Sequence, residues 1–190
     1  MEFDPAHPLQ SGLAVTRTIL LSPKSFYANF STSGPLKGPT LFVLFVSAVS
    51  AILRLAIVFI FSTSSIGEAA ISLLEALVFV LLSPGIVAGL AGIYLLSVRA
   101  FVKKGADFQE VYRLLAYAYA AMILFWIPVI QAFAFTYTFL VLMTLGVRGV
   151  YGTSTTTALV TTFAGYVPAG ILFVFLQLLV TGLAFGLSAW

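Results

Sequence analysis

The stretch from Leu114 to Val147 reads LLAYAYAAMILFWIPVIQAFAFTYTFLVLMTLGV and carries no charge along its 34 residues. As one α-helix it would be about 50 Å long, well beyond a hydrocarbon core of about 30 Å. It must therefore turn back on itself. Trp126-Ile127-Pro128, with Gln131 just beyond, places an interfacial aromatic, a helix breaker and a polar residue at its midpoint. The reading is two short helices, about 110–127 and 130–147, joined by a tight turn with Pro128 as the break.

Composition extends this reading to the whole chain. Apolar residues make up 61% of it and charged residues 8%, with a mean hydropathy of +1.13. Soluble domains have roughly 45–50% and 25%. Lipid is the expected solvent. The net charge of +3 comes from nine basic residues scattered through apolar sequence, so no basic face for nucleic acid is expected. The absence of cysteine excludes disulfides, thiolate nucleophiles and cysteine metal sites. His7 has no companion ligand nearby in the sequence, and no zinc helix, nucleophile elbow or pair of catalytic carboxylates is present. No catalytic residue, metal or cofactor is expected. No basic region feeding an apolar run opens the chain, so a cleaved leader is not expected.

The fold class read from these patterns is all-α, an integral membrane bundle of five transmembrane helices preceded by an amphipathic interfacial segment. Residues 1–39 form a cytosolic tail and that segment, and residues 40–190 the transmembrane domain, with spans at about 40–63, 68–98, 110–127, 130–147 and 165–189. Ser22-Pro23 reads as a cap followed by proline at the first helical position. Beyond it Phe26 and Phe30 share a face, with Tyr27 alongside, that suits the headgroup boundary. Ser83-Pro84-Gly85 marks a kink in the second span. Asp107 and Glu110 have capping-box spacing and open the third. Arg17, Lys24, Lys37, Arg99, Lys103, Lys104, Arg113 and Arg148 fall on one side of a five-span path, which leaves only Arg54 within a span. That asymmetry orients the amino end in the cytoplasm and the carboxyl end outside, in a prokaryotic cytoplasmic membrane.

Charges inside spans are costly and face a partner or the bundle interior. Arg54 and Glu75 lie at roughly 13 and 10 Å from the ends of a shared hairpin, counted at about 1.5 Å per residue. A direct or water-bridged ion pair between them is expected, with Ser47, Ser50 and Arg54 forming an inward polar stripe. Gln177 is a third intramembrane polar candidate. Gly85 and Gly89, and Gly182 and Gly186, have the small-residue spacing of close helix packing.

Leu21-Ser22-Pro23-Lys24-Ser25-Phe26-Tyr27, Gly38-Pro39 ahead of the first span, Phe108 through Tyr117, and Gly146 through Gly152 together resemble the Yip family of Ypt/Rab-GTPase-interacting membrane proteins, in its broad form with prokaryotic members. Pro23, Gly38, Pro39 and Tyr117 carry that resemblance, over roughly residues 13–188. Two features depart from the family pattern. Ala121 stands where a proline commonly follows the tyrosine by four positions, and Leu36-Lys37 stands where eukaryotic members place an acid before Gly-Pro. The resemblance implies a five-helix fold and a non-enzymatic adaptor or scaffold in membrane organisation, in contact with the lipid bilayer and a protein partner or second copy. The alternative is a small transporter or channel in which Arg54, Glu75, Pro84 and Gln177 line a polar route, or an accessory subunit of a larger membrane complex.

Overall fold

Prolines open three of the helical pieces, because a residue without an N–H costs nothing in a first turn. Pro8 starts α1 (Pro8–Leu21), Pro23 starts α2 (Pro23–Ala28), and Pro128 starts the return limb of the long apolar run. The computed structural model of the chain describes residues 2–61, 66–102 and 105–188, and within these leaves out the side chains of residues 66, 68, 173, 176, 177 and 179–188. Regular structure among the described residues is all helical. After α1 and α2 come α3 (Lys37–Phe61), α4 (Ile66–Val102) and α5 (Phe108–Ala118), which tightens into a 3-10 helix over Tyr119–Leu124. Past the turn, Pro128–Ile130, α6 (Gln131–Thr136), a π-helical Tyr137–Leu142 and α7 (Met143–Tyr151) run on without a break, and α8 (Thr155–Ser188) ends the described chain. Three stretches, Lys37–Phe61, Ala69–Val102 and Pro128–Tyr151, are long and apolar enough to cross a membrane. The chain is a multi-pass membrane protein.

The centre of the bundle is α5 and its 3-10 extension. Every residue from Val111 to Met122 is buried, so this piece is enclosed on all sides. Ala116, Ala118, Ala120 and Ala121 let neighbours approach, and the tyrosines between and before them reach outward to hydrogen-bond across the contacts. Tyr112 Oη meets Thr40 Oγ1 at 2.9 Å, and Tyr119 Oη accepts from Ser47 Oγ at 3.3 Å. Asp107 caps α5 by accepting from the Glu110 N–H at 2.8 Å. The Glu110 carboxylate accepts from Tyr151 Oη at 3.3 Å, which ties the start of α5 to the end of α7.

Several sequence expectations are corrected. Pro84, expected as a helix break, lies inside α4, which continues through it as one helix. It leaves the carbonyl four residues earlier, Val80, without its helical donor, and the Ser83 hydroxyl supplies that bond at 2.8 Å. The last helix starts at Thr155 rather than near residue 165, because Ser154 caps it through the Thr157 N–H at 3.1 Å. The second span runs on to Val102, and the limb expected at 130–147 spans Pro128–Tyr151 and ends at Gly152, whose φ of +59° closes the last turn.

The pre-membrane segment also differs. Its aromatic face turns into the protein, with Phe26 and Phe30 each 5.7 Å from the Tyr117 ring and Tyr27 buried. Burial without a hydroxyl partner pushes the Tyr27 phenol well above its ordinary pKa. Ser22 makes no side-chain cap bond. Val15 and Ile19 of α1 are buried, which leaves Leu9, Leu13 and Leu21 on its outer face.

Among the described residues, the close helix approaches fall at glycines other than Gly85 and Gly89. A Cβ at Gly85 or Gly89 would meet nothing within 4 Å, so that small-residue face is open within this chain. At Gly149 it would come within 2.9 Å of the Tyr27 carbonyl oxygen, and at Gly165 within 2.6 Å of the Tyr94 ring. The side-chain surroundings of Gly182 and Gly186 lie outside the described residues. Tyr94, seated against Gly165, donates its hydroxyl to the Phe139 carbonyl inside the π-helical stretch, where helical hydrogen bonding is irregular.

Candidate functional site

Polar chemistry concentrates at the end of the bundle where the amino-terminal arm, the 31–36 elbow and the start of α5 meet. Arg113 lies one turn before Tyr117 on α5, so both project from the same face. Its side chain is only 1% exposed. A guanidinium so placed must have its donors matched, because an unpaired buried charge is costly. Nε donates to the Ser31 carbonyl at 3.2 Å, Nη1 to the Pro35 carbonyl at 3.1 Å, and Nη2 to Glu2 Oε1 at 2.6 Å. Gly34, at a φ of +119°, bends the elbow around it, and a Cβ there would stand 3.4 Å from Nη1.

The arm is fixed by three further contacts. Phe3 donates its backbone N–H to Tyr117 Oη at 3.3 Å, and its ring packs on Phe42 at 5.8 Å and Phe45 at 5.9 Å between centroids. Its carbonyl oxygen is 3.8 Å from where a Gly38 Cβ would stand. Asp4 then turns the chain into α1, accepting from the Ala6 N–H at 2.9 Å and pairing with His7 Nδ1 at 3.1 Å. These bonds hold the Asp4 carboxyl below its ordinary pKa. A surface concavity of about 270 Å³ opens beside the arm, between Glu2, Asp4, His7 and Val15 among others.

Of the four residues that carry the family resemblance, Tyr117 thus bonds to the arm, and a side chain at Gly38 would meet the Phe3 carbonyl. Pro39 lies buried in the first turn of α3, and Pro23 opens α2. Arg113 was missed as a site residue because its sequence context reads as one more basic loop residue beside Arg99, Lys103 and Lys104. The signal available was its spacing of four from Tyr117.

Arg54 and Glu75 are brought together at the far part of the α3–α4 pair, with Nη2 3.4 Å from Oε2. The expected polar stripe divides. Ser47 and Ser50 are buried, but the Arg54 side chain is 57% exposed and does not face the bundle interior. The physical reason is that α3 outruns its cover: past Ala51 it presents Ile52, Phe59, Ile60 and Phe61 outward. A second concavity of about 360 Å³ lies on α8 between Leu159, Val160, Phe163 and Ala164, and neither concavity is lined by Arg54 or Glu75. The side chain of Gln177 lies outside the described residues.

Comparison with curated proteins and with solved structures gives no match. A family model described as the Yip1 domain matches residues 17–185, which takes in α2, the elbow, all of α3 to α7 and most of α8. With the match covering most of the chain and the apolar helices agreeing, this multi-pass membrane protein belongs to the Yip1 domain family.

Proposed function

We propose that the chain is a non-enzymatic adaptor or scaffold of five spans, with the arm, α1, α2 and the elbow on the cytoplasmic side. The observation that supports this reading is the buried guanidinium of Arg113 and the three contacts it makes where the arm, the elbow and α5 meet, at the opposite part of the bundle from the Arg54–Glu75 pair. Contacts gathered at one end suit a shaped surface on one side of the membrane better than a polar route through it. Leu9, Leu13 and Leu21 on the outer face of α1 suit contact with the headgroup boundary. Five spans are supported by length. Phe108–Leu124 as α-helix plus 3-10 helix rises about 28 Å, close to one hydrocarbon thickness, although its burial at the centre hides it from lipid.

Purification in mild detergent tests the adaptor role: a defined protein partner is retained, and recovery of the intact chain alone overturns the reading. Topology is tested with single cysteines, which this cysteine-free chain accepts without background. Val129→Cys, at the exposed turn, labels with an impermeant maleimide from outside, and Lys24→Cys labels only after permeabilisation. Protection of Val129→Cys on intact cells overturns five spans in favour of a path in which Phe108–Leu124 does not cross.

A second reading has one observation behind it. The Arg54–Glu75 pair faces outward, beside exposed Ile71 and Leu74, so it suits contact with a helix of another membrane subunit better than a conduit inside this chain.

A further inference from the structure

We infer that Arg113, Tyr117, Gly38 and the Phe42–Phe45 wall form a peptide-recognition pocket for an extended segment carrying an acidic residue followed by an aromatic one, and that the chain's own Glu2-Phe3 fills it as a built-in competitor. This rests on the adaptor reading and names the chemistry of its partner.

Three separate recognition elements converge on two consecutive residues of the arm. Arg113 holds a carboxylate, Tyr117 Oη accepts a backbone N–H, and Phe42 with Phe45 receives an aromatic ring. Matching charge, main chain and ring at neighbouring positions is how a groove selects an extended peptide. The pocket is anchored independently of its occupant, because two of the guanidinium's contacts go to Ser31 and Pro35 of the elbow. Only the third goes to the arm, through a Glu2 side chain that is 48% exposed and open to exchange.

The family match sharpens this. Every residue of the pocket lies within residues 17–185, and the occupant, at residues 2 and 3, lies outside. The domain thus carries a receptor, and the arm supplies a tethered ligand. A tethered ligand competes at an effective concentration of about millimolar for a short linker, so a partner must bind better than the arm or arrive when the arm is withdrawn.

The test uses the full chain with Glu2→Gln and Phe3→Ala, in nanodiscs of phosphatidylcholine. The probe is an acetylated, fluorescein-labelled peptide of sequence Glu-Phe-Asp-Pro-Ala, followed by anisotropy. The double variant is expected to bind the peptide saturably, and the unaltered chain at least about tenfold more weakly. Replacing the peptide's acid by Gln, or adding Arg113→Lys to the variant, should weaken binding by about ten- to a hundredfold. A folded double variant without saturable binding overturns the proposal, as does binding of phosphatidylglycerol vesicles in place of the peptide, which would make the pocket a lipid site. Should the double variant not fold, a benzophenone-bearing version of the peptide at millimolar concentration on the unaltered chain decides the matter. A crosslink at Phe42 or Phe45 supports the pocket, and none overturns it. Failure here with a protein still co-purifying removes the pocket and leaves the adaptor reading standing.

Discussion

Arg113 and Arg54 each meet a carboxylate, at 2.6 Å and 3.4 Å, under opposite conditions. Arg113 is enclosed by protein, with two carbonyls completing its coordination and a partner 111 residues away in sequence. Arg54 stands on the outer surface of one helical hairpin, with Glu75 as its hydrogen-bond partner among the described residues. The first ties the arm, the elbow and α5 together at one buried point, beside the separate Phe3–Tyr117 bond that also holds the arm to α5. The second joins two helices that already pack along their length. Chemically similar pairs can therefore differ several-fold in structural consequence, and the difference lies in what surrounds the guanidinium.

The largest effect that tests this contrast is expected from Arg113→Ala. It leaves the Ser31 and Pro35 carbonyls without their donor and a cavity at the elbow, at about 2–4 kcal/mol from lost hydrogen bonds and lost packing; the Glu2 carboxylate left behind is 48% exposed and stays solvated. Denaturant unfolding in detergent, followed by circular dichroism, measures it, and Arg113→Lys should restore only part, since one ammonium cannot span three diverging acceptors. A loss for Arg113→Ala no larger than for Arg54→Ala would erase the comparison.

Next in size is a pair of glycine substitutions. Gly149→Ala drives a methyl toward the Tyr27 backbone and should cost about 1–3 kcal/mol, separating α2 from α7. Gly85→Ala meets open space and should be neutral or stabilising by up to about 1 kcal/mol from helix propensity. Equal melting temperatures for the two variants would contradict the packing described.

Smaller still is the coupling across the hairpin. A double-mutant cycle of Arg54→Gln and Glu75→Gln should give about 0.6–1.7 kcal/mol, the range for polar contacts between membrane helices. Strict additivity would show that the contact contributes nothing. The smallest effect belongs to Asp4. Its folded pKa lies below the ordinary 3.8, so its contribution is present above that value and disappears as pH falls through the folded pKa. Asp4→Asn should remove this acid-side loss, visible as a flatter dependence of stability on pH below about 4.

Much of the fold was legible residue by residue. Trp126-Ile127-Pro128 gave the reversal, Asp107 the start of α5, and Pro23 the start of α2. Ser83 and Ser154 were present but underused: one repairs the backbone beside Pro84, the other caps α8 ten residues early. Both act through a side chain bonding locally to backbone, a signal that competes with the stronger proline and glycine punctuation around it. The Arg54–Glu75 contact was approachable because both residues belong to one hairpin, where helical rise fixes relative depth. Arg113 was not, since nothing near it in sequence reveals that an elbow and an arm close over it.

The sequence alone determined the solvent, the helical class and the reversal, because runs of apolar residues longer than a bilayer can be satisfied only by helices that cross and return. It also carried the family, in short segments spread along the chain. The tertiary structure decided which surfaces face inward. In a soluble helix the apolar side marks the core, but here lipid and protein interior are equally apolar, and the pattern no longer separates them. Phe26 and Tyr27 turn inward, Arg54 outward, and α5 from Val111 onward is buried on every side. Only the packing of the assembled helices makes those choices.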